Sequence, residues 1–222
     1  MTFFLGFDTS IYPGDNAMQT LRGQALMAFT GFYLAPAPSH PNASWMQKRA
    51  FLRTLGYGFA PVYLGQQSAT GPGSHNLTAQ QGTIDGRQAA QLAATAGFPA
   101  ASVVYLDIET GPPMSANYLA YYSAWVQAVV DSGFTPGAYC SHLLVNQVHQ
   151  RDPRAVIWTF KLQFPNGHHF APPLPLPNPA LPDAPNATVL QYAQNCPLTV
   201  GGLTLNVDLD SSIVADPSQP PT

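Results

Sequence analysis

The chain has 222 residues, of which 45% are hydrophobic and only 9% charged, against roughly 25% charged in an average soluble protein. Its net charge is −3 with just two lysines, Lys48 and Lys161, so it lacks the basic footprint that nucleic-acid binding requires. No apolar run reaches the ~18 residues of a membrane span, and the start Met1-Thr2-Phe3-Phe4-Leu5-Gly6 has no basic region of a signal peptide.

Short apolar, β-prone runs alternate with longer helical ones. Strands are expected over residues 3–8 and 28–34, the second followed by a Pro-rich loop over 35–44. Trp45, Phe51, Leu52 and Leu55 recur at helical spacing and run into Gly56, which predicts a helix over 45–55 with a glycine stop. A third strand is expected over 60–66, then an Ala- and Gln-rich helix over 78–96 and a fourth strand over 102–109. Ser115 is a natural N-cap and Gly133 a natural stop for a helix over 115–132. A strand over 136–141, a short helix over 143–150 and a strand over 155–162 follow. Residues 166–186 hold seven prolines and almost no periodicity, so they are read as a long loop in place of the sixth or seventh barrel helix. Strands over 188–193 and 205–209 complete a set of eight. Residues 215–222 read as a flexible tail behind a single barrel domain over 1–214.

Eight strands, apolar on both faces and alternating with helices, predict an α/β fold with a parallel sheet. After the first strand, Asp8-Thr9-Ser10-Ile11-Tyr12-Pro13-Gly14 forms no Gly-rich phosphate turn of the kind a doubly wound sheet carries. The expectation is therefore one closed TIM-type (β/α)8 barrel, with irregular or missing helices around strands 6–8.

Active-site groups of such barrels sit at the C-terminal ends of strands. The chain has only eleven acids, and several fall there: Asp8 on the first strand, Asp107 and Glu109 on the fourth, Asp208 and Asp210 on the last. Strands one and eight are neighbours in a closed barrel, which sets Asp8 beside Asp208. Asp107 and Glu109, two apart on a strand, share a face with Cα atoms about 6.5–7 Å apart. Clustered acids without nearby cations raise one another's pKa values, which supplies the neutral acid and the ionised partner that glycoside cleavage needs. Glu109, the longest side chain at the outermost position, is the natural proton donor. Asp8, Asp107 and Asp208 would serve as base, electrostatic or orienting groups. Asp15 and Asp85, in helical stretches, are expected to be structural.

With these residues in view, the chain resembles the glycoside hydrolase family 25 lysozymes, and more closely the related family called domain of unknown function 1906. Gly6-Phe7-Asp8-Thr9-Ser10 is similar to the family's Gly-x-Asp-x-Ser start, and Tyr105-Leu106-Asp107-Ile108-Glu109 to its Asp-x-Glu strand. Gly137-Ala138-Tyr139-Cys140-Ser141 resembles its fifth-strand Gly-x-Tyr and Ile157-Trp158 its sixth-strand Trp. Leu190-Gln191-Tyr192 resembles its Trp-Gln-Tyr and Val207-Asp208-Leu209-Asp210 its closing Val-Asp-x-Asn. The resemblance implies a (β/α) barrel and cleavage of β-1,4 bonds after N-acetylmuramic acid in peptidoglycan, with Glu109 as general acid and Asp8, Asp107 and Asp208 in support. Leu190 replaces the family Trp and Asp210 the family Asn.

Sugar rings stack on aromatic faces. Tyr33, Tyr63, Tyr139, Trp158 and Tyr192 lie near predicted strand ends, and Gln66 and Gln191 offer amides. With Asp210 they form the expected substrate-binding set. Tyr118, Tyr121, Tyr122 and Trp125, at helical spacing, are expected to pack. Cys140 and Cys196 are too few for a disulfide scaffold or cysteine zinc site and are expected to be free and buried. The six histidines form no ligand pattern, and no Gly-x-Ser-x-Gly elbow supports a serine nucleophile. The favoured reading is a monomeric glycosidase acting on a polysaccharide or peptidoglycan substrate, with no cofactor and no metal. It implies action outside the cell or in its envelope, reached without a signal peptide. Two alternatives stand beside it: a non-catalytic glycan-binding or cell-envelope protein on the same barrel, and a phosphodiesterase whose metal lies between Asp8, Asp107, Glu109 and Asp210.

Overall fold

Residues 2–69 and 71–219 are described in the computed structural model. Eight strands close in sequence order into one barrel. They are β1 Phe4–Asp8, β2 Phe29–Tyr33, β3 Gly58–Tyr63, β4 Val103–Ile108, β5 Thr135–Ser141, β6 Val156–Phe160, β7 Ala187–Val200 and β8 Leu203–Ser212. Five helices cover the outside: α1 Asp15–Gln24, α2 Arg49–Thr54, α3 Ala79–Thr95, α4 Ala116–Asp131 and α5 Val145–Arg151. The side chains of Thr78 and Ser115 cap α3 and α4 by accepting from the backbone N–H of Gln81 and Tyr118. This satisfies donors that a helix start otherwise leaves open. The predicted helix over 45–55 keeps its regular turns only from Arg49, and α1 fills a stretch for which no helix was delineated.

The eight-stranded barrel and the missing helices after β6 agree with expectation; the strand directions do not. Strands β1 to β7 run parallel, but β8 is antiparallel to both β7 and β1. The cause is the dipeptide Gly201-Gly202, whose φ values of 56° and 79° fit the two-residue turn that joins antiparallel strands. This hairpin turns the chain back without a crossover helix, and it lengthens β7 well beyond the expected 188–193. Residues 161–186 form no helix or named strand. They are tied to the hairpin by Phe170 N–H to Pro197 O (2.9 Å), Thr199 N–H to Phe170 O (2.9 Å) and the Tyr192 hydroxyl to Pro175 O (3.0 Å).

Side chains alternate across each strand, so the barrel wall separates two apolar layers. The outer one joins Phe7, Phe32, Phe59, Leu106 and Ile157 to helix residues that include Tyr118, Tyr121, Tyr122 and Trp125, the four expected to pack. The inner one holds Phe29, Ala60, Val62, Val103, Tyr105, Val156, Trp158 and Val189. Three inward positions are glycines because neighbouring side chains leave no room. A Cβ on Gly6 would lie 2.3 Å from the Phe29 ring, one on Gly137 2.6 Å from Tyr105, and one on Gly31 2.5 Å from the Asp8 Cβ.

The tail corrects an expectation in part. Residues 215–219 pack under the barrel rather than fraying: Val103 N–H donates to Ser218 O (2.8 Å), Phe59 N–H to Asp216 Oδ1 (2.9 Å) and the Tyr105 hydroxyl to Pro217 O (2.9 Å). The β4 and β3 backbone groups at the lower rim need partners, and this segment supplies them. Residues 220–222 lie outside the described residues. Cys140 and Cys196 are buried and free. Among the described residues no helix is long and apolar enough to cross a membrane.

Gly6→Ala is expected to destabilise the fold by about 3 kcal/mol through overpacking against Phe29. Gly111→Ala, whose Cβ would meet nothing within 4 Å, should change stability by less than about 0.5 kcal/mol. Urea denaturation midpoints at unchanged m-value check both.

Candidate active site

The C-terminal mouth of the barrel holds a cavity of about 290 Å³. Asp8, Asp107, Glu109 and Asp208 all line it, together with Tyr33, Tyr139 and Trp158. Asp8 closes β1, Asp107 lies next to the end of β4, and Glu109 follows that strand at the exposed rim. Asp208 arrives by a route other than the one expected. It lies within β8, and because β8 descends from the mouth, it stands directly opposite Asp8. Antiparallel partners have Cα atoms about 4.5–5.5 Å apart. Asp210, two residues further down, pairs with Gly6 and is fully buried beneath the cavity.

The acids are held by specific donors. The Tyr33 hydroxyl donates to Asp8 Oδ1 at 2.6 Å. Gln191 Nε2 and the Asn195 backbone N–H donate to the two oxygens of Asp208 at 2.9 and 2.6 Å. Gln191 Oε1 in turn accepts from the Tyr139 hydroxyl, and Trp158 Nε1 donates to Asp210 Oδ1 at 3.0 Å. Asn195 reaches Asp208 from a left-handed conformation, φ 51°, where the β7–β8 register shifts between Ala193 and Cys196. A bulge of this kind re-aims groups beside a site. Trp45 Nε1 donates to Thr9 O (3.0 Å), anchoring the segment that follows Asp8.

Of the expected substrate-binding set, Tyr33, Tyr139 and Trp158 line the cavity; Asp210 lies beneath it, Gln191 behind it, and Tyr63, Tyr192 and Gln66 are turned away. Tyr63 points out of the barrel, its hydroxyl on Gln88 of α3 at 2.6 Å. Tyr192 points outward to Pro175. Gln66 is turned to the buried Asp85 (3.0 Å) and to the Asn76 backbone N–H (2.9 Å). Its neighbour Gln67 contacts Asp107 instead, with Nε2 3.2 Å from the backbone oxygen and 3.3 Å from Oδ2. For Tyr63 and Tyr192 the period-two alternation of the strand sends the side chain to the outer face, whereas Gln66 lies in the loop after β3. Gln191 touches the acids from behind the lining rather than forming it. Residues not anticipated as binding groups are Thr9, Ser10, Val62, Leu64, Gln194, Asn195, Asn206 and Val207. The Gly201-Gly202 hairpin signal could have located the β7–β8 members.

Asp85 is structural as expected, accepting from Gln66, Gln81 and Tyr121. Asp15 forms a surface pair with Lys48. Among the described residues no group of three or more His, Cys, Asp or Glu is arranged to hold a metal ion.

The model of the Rv2525c-like, glycoside hydrolase-like domain matches residues 19–213. The chain belongs to this family. An uncharacterized B. stearothermophilus protein superposes with a TM-score of 0.69 at 22% identity, over 93% of this chain and 94% of that one. The Mycobacterium tuberculosis Tat-secreted protein Rv2525c gives 0.64 at 16% identity, over 96% and 95%. A bacterial lysozyme from Streptomyces coelicolor gives 0.60 at 14% identity, over 96% and 94%. Identities this low carry the fold alone. No curated protein is significantly similar in sequence.

Leu190 is the position at which the resemblance to the lysozymes implies a tryptophan. That residue is fully buried in the outer apolar layer, so the departure does not alter the cavity wall. The electrostatics do distinguish the acids. Burial, then the charge of Asp208, pushes Asp8 up to about 8 against the hydrogen bonds of Tyr33 and Asp210. Burial pushes Asp208 up to only about 6, because the Asn195 N–H and the Gln191 amide hold it down. Burial, then Glu109 and Asp8, carries Asp107 well above the usual range. Crowding by the cavity walls also raises Glu109, although its surface is exposed at the rim.

These shifts make the fold bind protons more tightly than the unfolded chain. Stability is then fully present below the unfolded carboxylate pKa of about 3.9 and lost as pH rises through the folded values. For Asp208 and Asp8 that window ends near 6 and 8. The melting temperature is expected to fall by about 5 °C or more between about pH 5 and pH 9. Thermal melts followed by circular dichroism in matched ionic strength check the sign.

Proposed function

We propose that this Rv2525c-like protein hydrolyses glycosidic bonds, with cell-wall peptidoglycan as its substrate. The observation that carries the reading is the asymmetry at the mouth. Asp208 is held by two donors and ionises most readily of the two acids that face each other across β1 and β8. Glu109 stands above it at the rim without a fixed partner. Glycosidases need this pairing of a protonated carboxyl and an ionised one.

Glu109 donates its proton to the glycosidic oxygen as the bond to the anomeric carbon breaks. Asp208 faces the positive charge that develops on the sugar. Water then adds at the anomeric carbon, and its proton passes to a carboxylate. Asp8 and Asp107, raised by burial, act as hydrogen-bonding groups that fix the ring. The walls support a neutral, hydroxyl- and amide-bearing ligand: Thr9, Ser10, Gln194, Asn195 and Asn206 offer polar groups, Tyr139 and Trp158 offer ring faces, and the lining holds no Lys, Arg or His. A lysozyme that shares the barrel and a Tat-secreted relative support a substrate in the cell envelope.

Purified protein on peptidoglycan is expected to release reducing ends, and Glu109→Gln to lower the rate by about 10²–10⁴-fold. Activity should fall on the acid side as Asp208 takes up its proton near 6, and it should survive a chelator, which a metal-dependent diesterase would not. Equal, background-level product from wild type and Glu109→Gln across several glycans would overturn the catalytic reading.

A further inference from the structure

Beneath the acids assigned to hydrolysis lies one that the reaction does not use. Asp210 is fully enclosed, facing the barrel axis below Asp8. One oxygen of each residue has a donor: Tyr33 for Asp8 Oδ1 and Trp158 for Asp210 Oδ1. The other oxygen of each, Oδ2, is buried and is reached by no N–H or O–H group. Asp210 pairs with Gly6, and Asp8 stands two residues along the same strand, so the two carboxyl groups are diagonal neighbours on the inward face. A carboxylate oxygen can only accept, so these two can become partners only if a proton lies between them.

The surroundings give no other way to offset two charges. Facing the pair are Tyr33 from β2, Asp107 from β4, Tyr139 from β5, Trp158 from β6 and Asp208 from β8, with Gln191 of β7 paired to Asp210 in register. None is a cation. Two ionised carboxylates in contact, buried and without a counter-charge, repel strongly. Of the two, Asp8 opens onto the cavity and Asp210 does not, so the deeper group keeps the proton.

We propose that Asp210 is a proton-bearing positioning residue: it remains neutral and donates through Oδ2 to Asp8, fixing the orientation and the ionisation of Asp8 from below. This rests on the reading of Asp8 as part of the hydrolytic site, but its own content is a protonation state. Burial and the neighbouring charges of Asp8 and Asp208 raise Asp210 well above the usual carboxylate range, in keeping with the geometry. An asparagine at this position would reproduce the same arrangement, its amide oxygen accepting from Trp158 and its NH₂ donating to Asp8.

The test is carboxyl ¹³C NMR of protein labelled at aspartate, titrated with pH, on wild type, Asp210→Asn and Asp210→Leu. In wild type the Asp210 signal should stay in its protonated position across neutral pH. Asp210→Asn should leave the Asp8 midpoint at or near its wild-type value. Asp210→Leu, which removes the donor, should raise the Asp8 midpoint by about one pH unit or more and move the pH–activity profile with it. An Asp210 signal already ionised at neutral pH in wild type overturns the proposal, whether or not the variants fold. So does an Asp8 midpoint that is the same in Asp210→Leu as in Asp210→Asn. The titration is read without substrate, so absence of glycan cleavage would count against the hydrolytic reading and leave this one standing or falling on the NMR.

Discussion

Antiparallel closure of the barrel governs the site. Had β8 run parallel to its neighbours, successive acids on it would climb toward the mouth, with Asp210 the outermost. Because the chain reverses at Gly201-Gly202, β8 descends instead, and the order is inverted: Asn206 at the lip, Asp208 level with Asp8, Asp210 in the floor. The same reversal lets β7 and β8 continue past the rim as a hairpin, which supplies Gln194, Asn195 and Asn206 to the cavity wall. One turn thus sets both the depth of each acid and the polar rim above them.

Interior volume is the second constraint. An eight-stranded barrel has room for little more than its own inward side chains, and here three large rings, Phe29, Tyr105 and Trp158, occupy the axis. Gly6 and Gly137 are the counterpart of Phe29 and Tyr105, and Gly31 that of Asp8. Gly31 matters most for the chemistry, since a Cβ there would strike the side chain of Asp8. The packed interior also keeps water from the acids, and burial is the first cause of every raised carboxyl at the site. Packing and electrostatics are therefore one design: the rings that fill the barrel are what keep protons on the acids above them.

Much of this was legible in the residues themselves. Strand positions, the cap at Ser115, the loop in place of a late helix and the four acids at the mouth follow from periodicity, capping chemistry and the rule that barrel sites lie at strand ends. What failed did so for local reasons. Tyr63 and Tyr192 are near strand ends but on outward positions, and a sequence shows proximity to an end more readily than phase. Gln66 and Gln67 are adjacent and chemically identical, so only the path of the loop after β3 decides which one reaches Asp107. The direction of β8 is encoded in Gly201-Gly202, a dipeptide suited to a two-residue hairpin turn, which the expectation of regular strand–helix alternation leaves out of account. The packed segment 215–219 had no signal of its own, because its bonds are made by backbone groups and by Asp216 to the distant β3 and β4.

The departures from the lysozyme pattern then take on different weights. Leu190 lies in the outer layer, where one large apolar side chain can stand in for another without touching a sugar, so it bears on packing. Asp210 lies on the axis, a diagonal neighbour of Asp8 on the same inward face, so it bears on chemistry. The four acids of the mouth differ in what supports them: two strong donors for Asp208, one tyrosine for Asp8, a long amide contact for Asp107 and, among the described residues, no hydrogen-bond partner for Glu109. Donors stabilise the charged form and burial the neutral one, so Asp208, with two donors, is raised less than the more deeply buried Asp8, without a cation in the wall. Hydrogen bonds and burial together are what separate neighbouring carboxyls here, and the neutral Asp210 proposed beneath Asp8 extends the same principle one layer deeper.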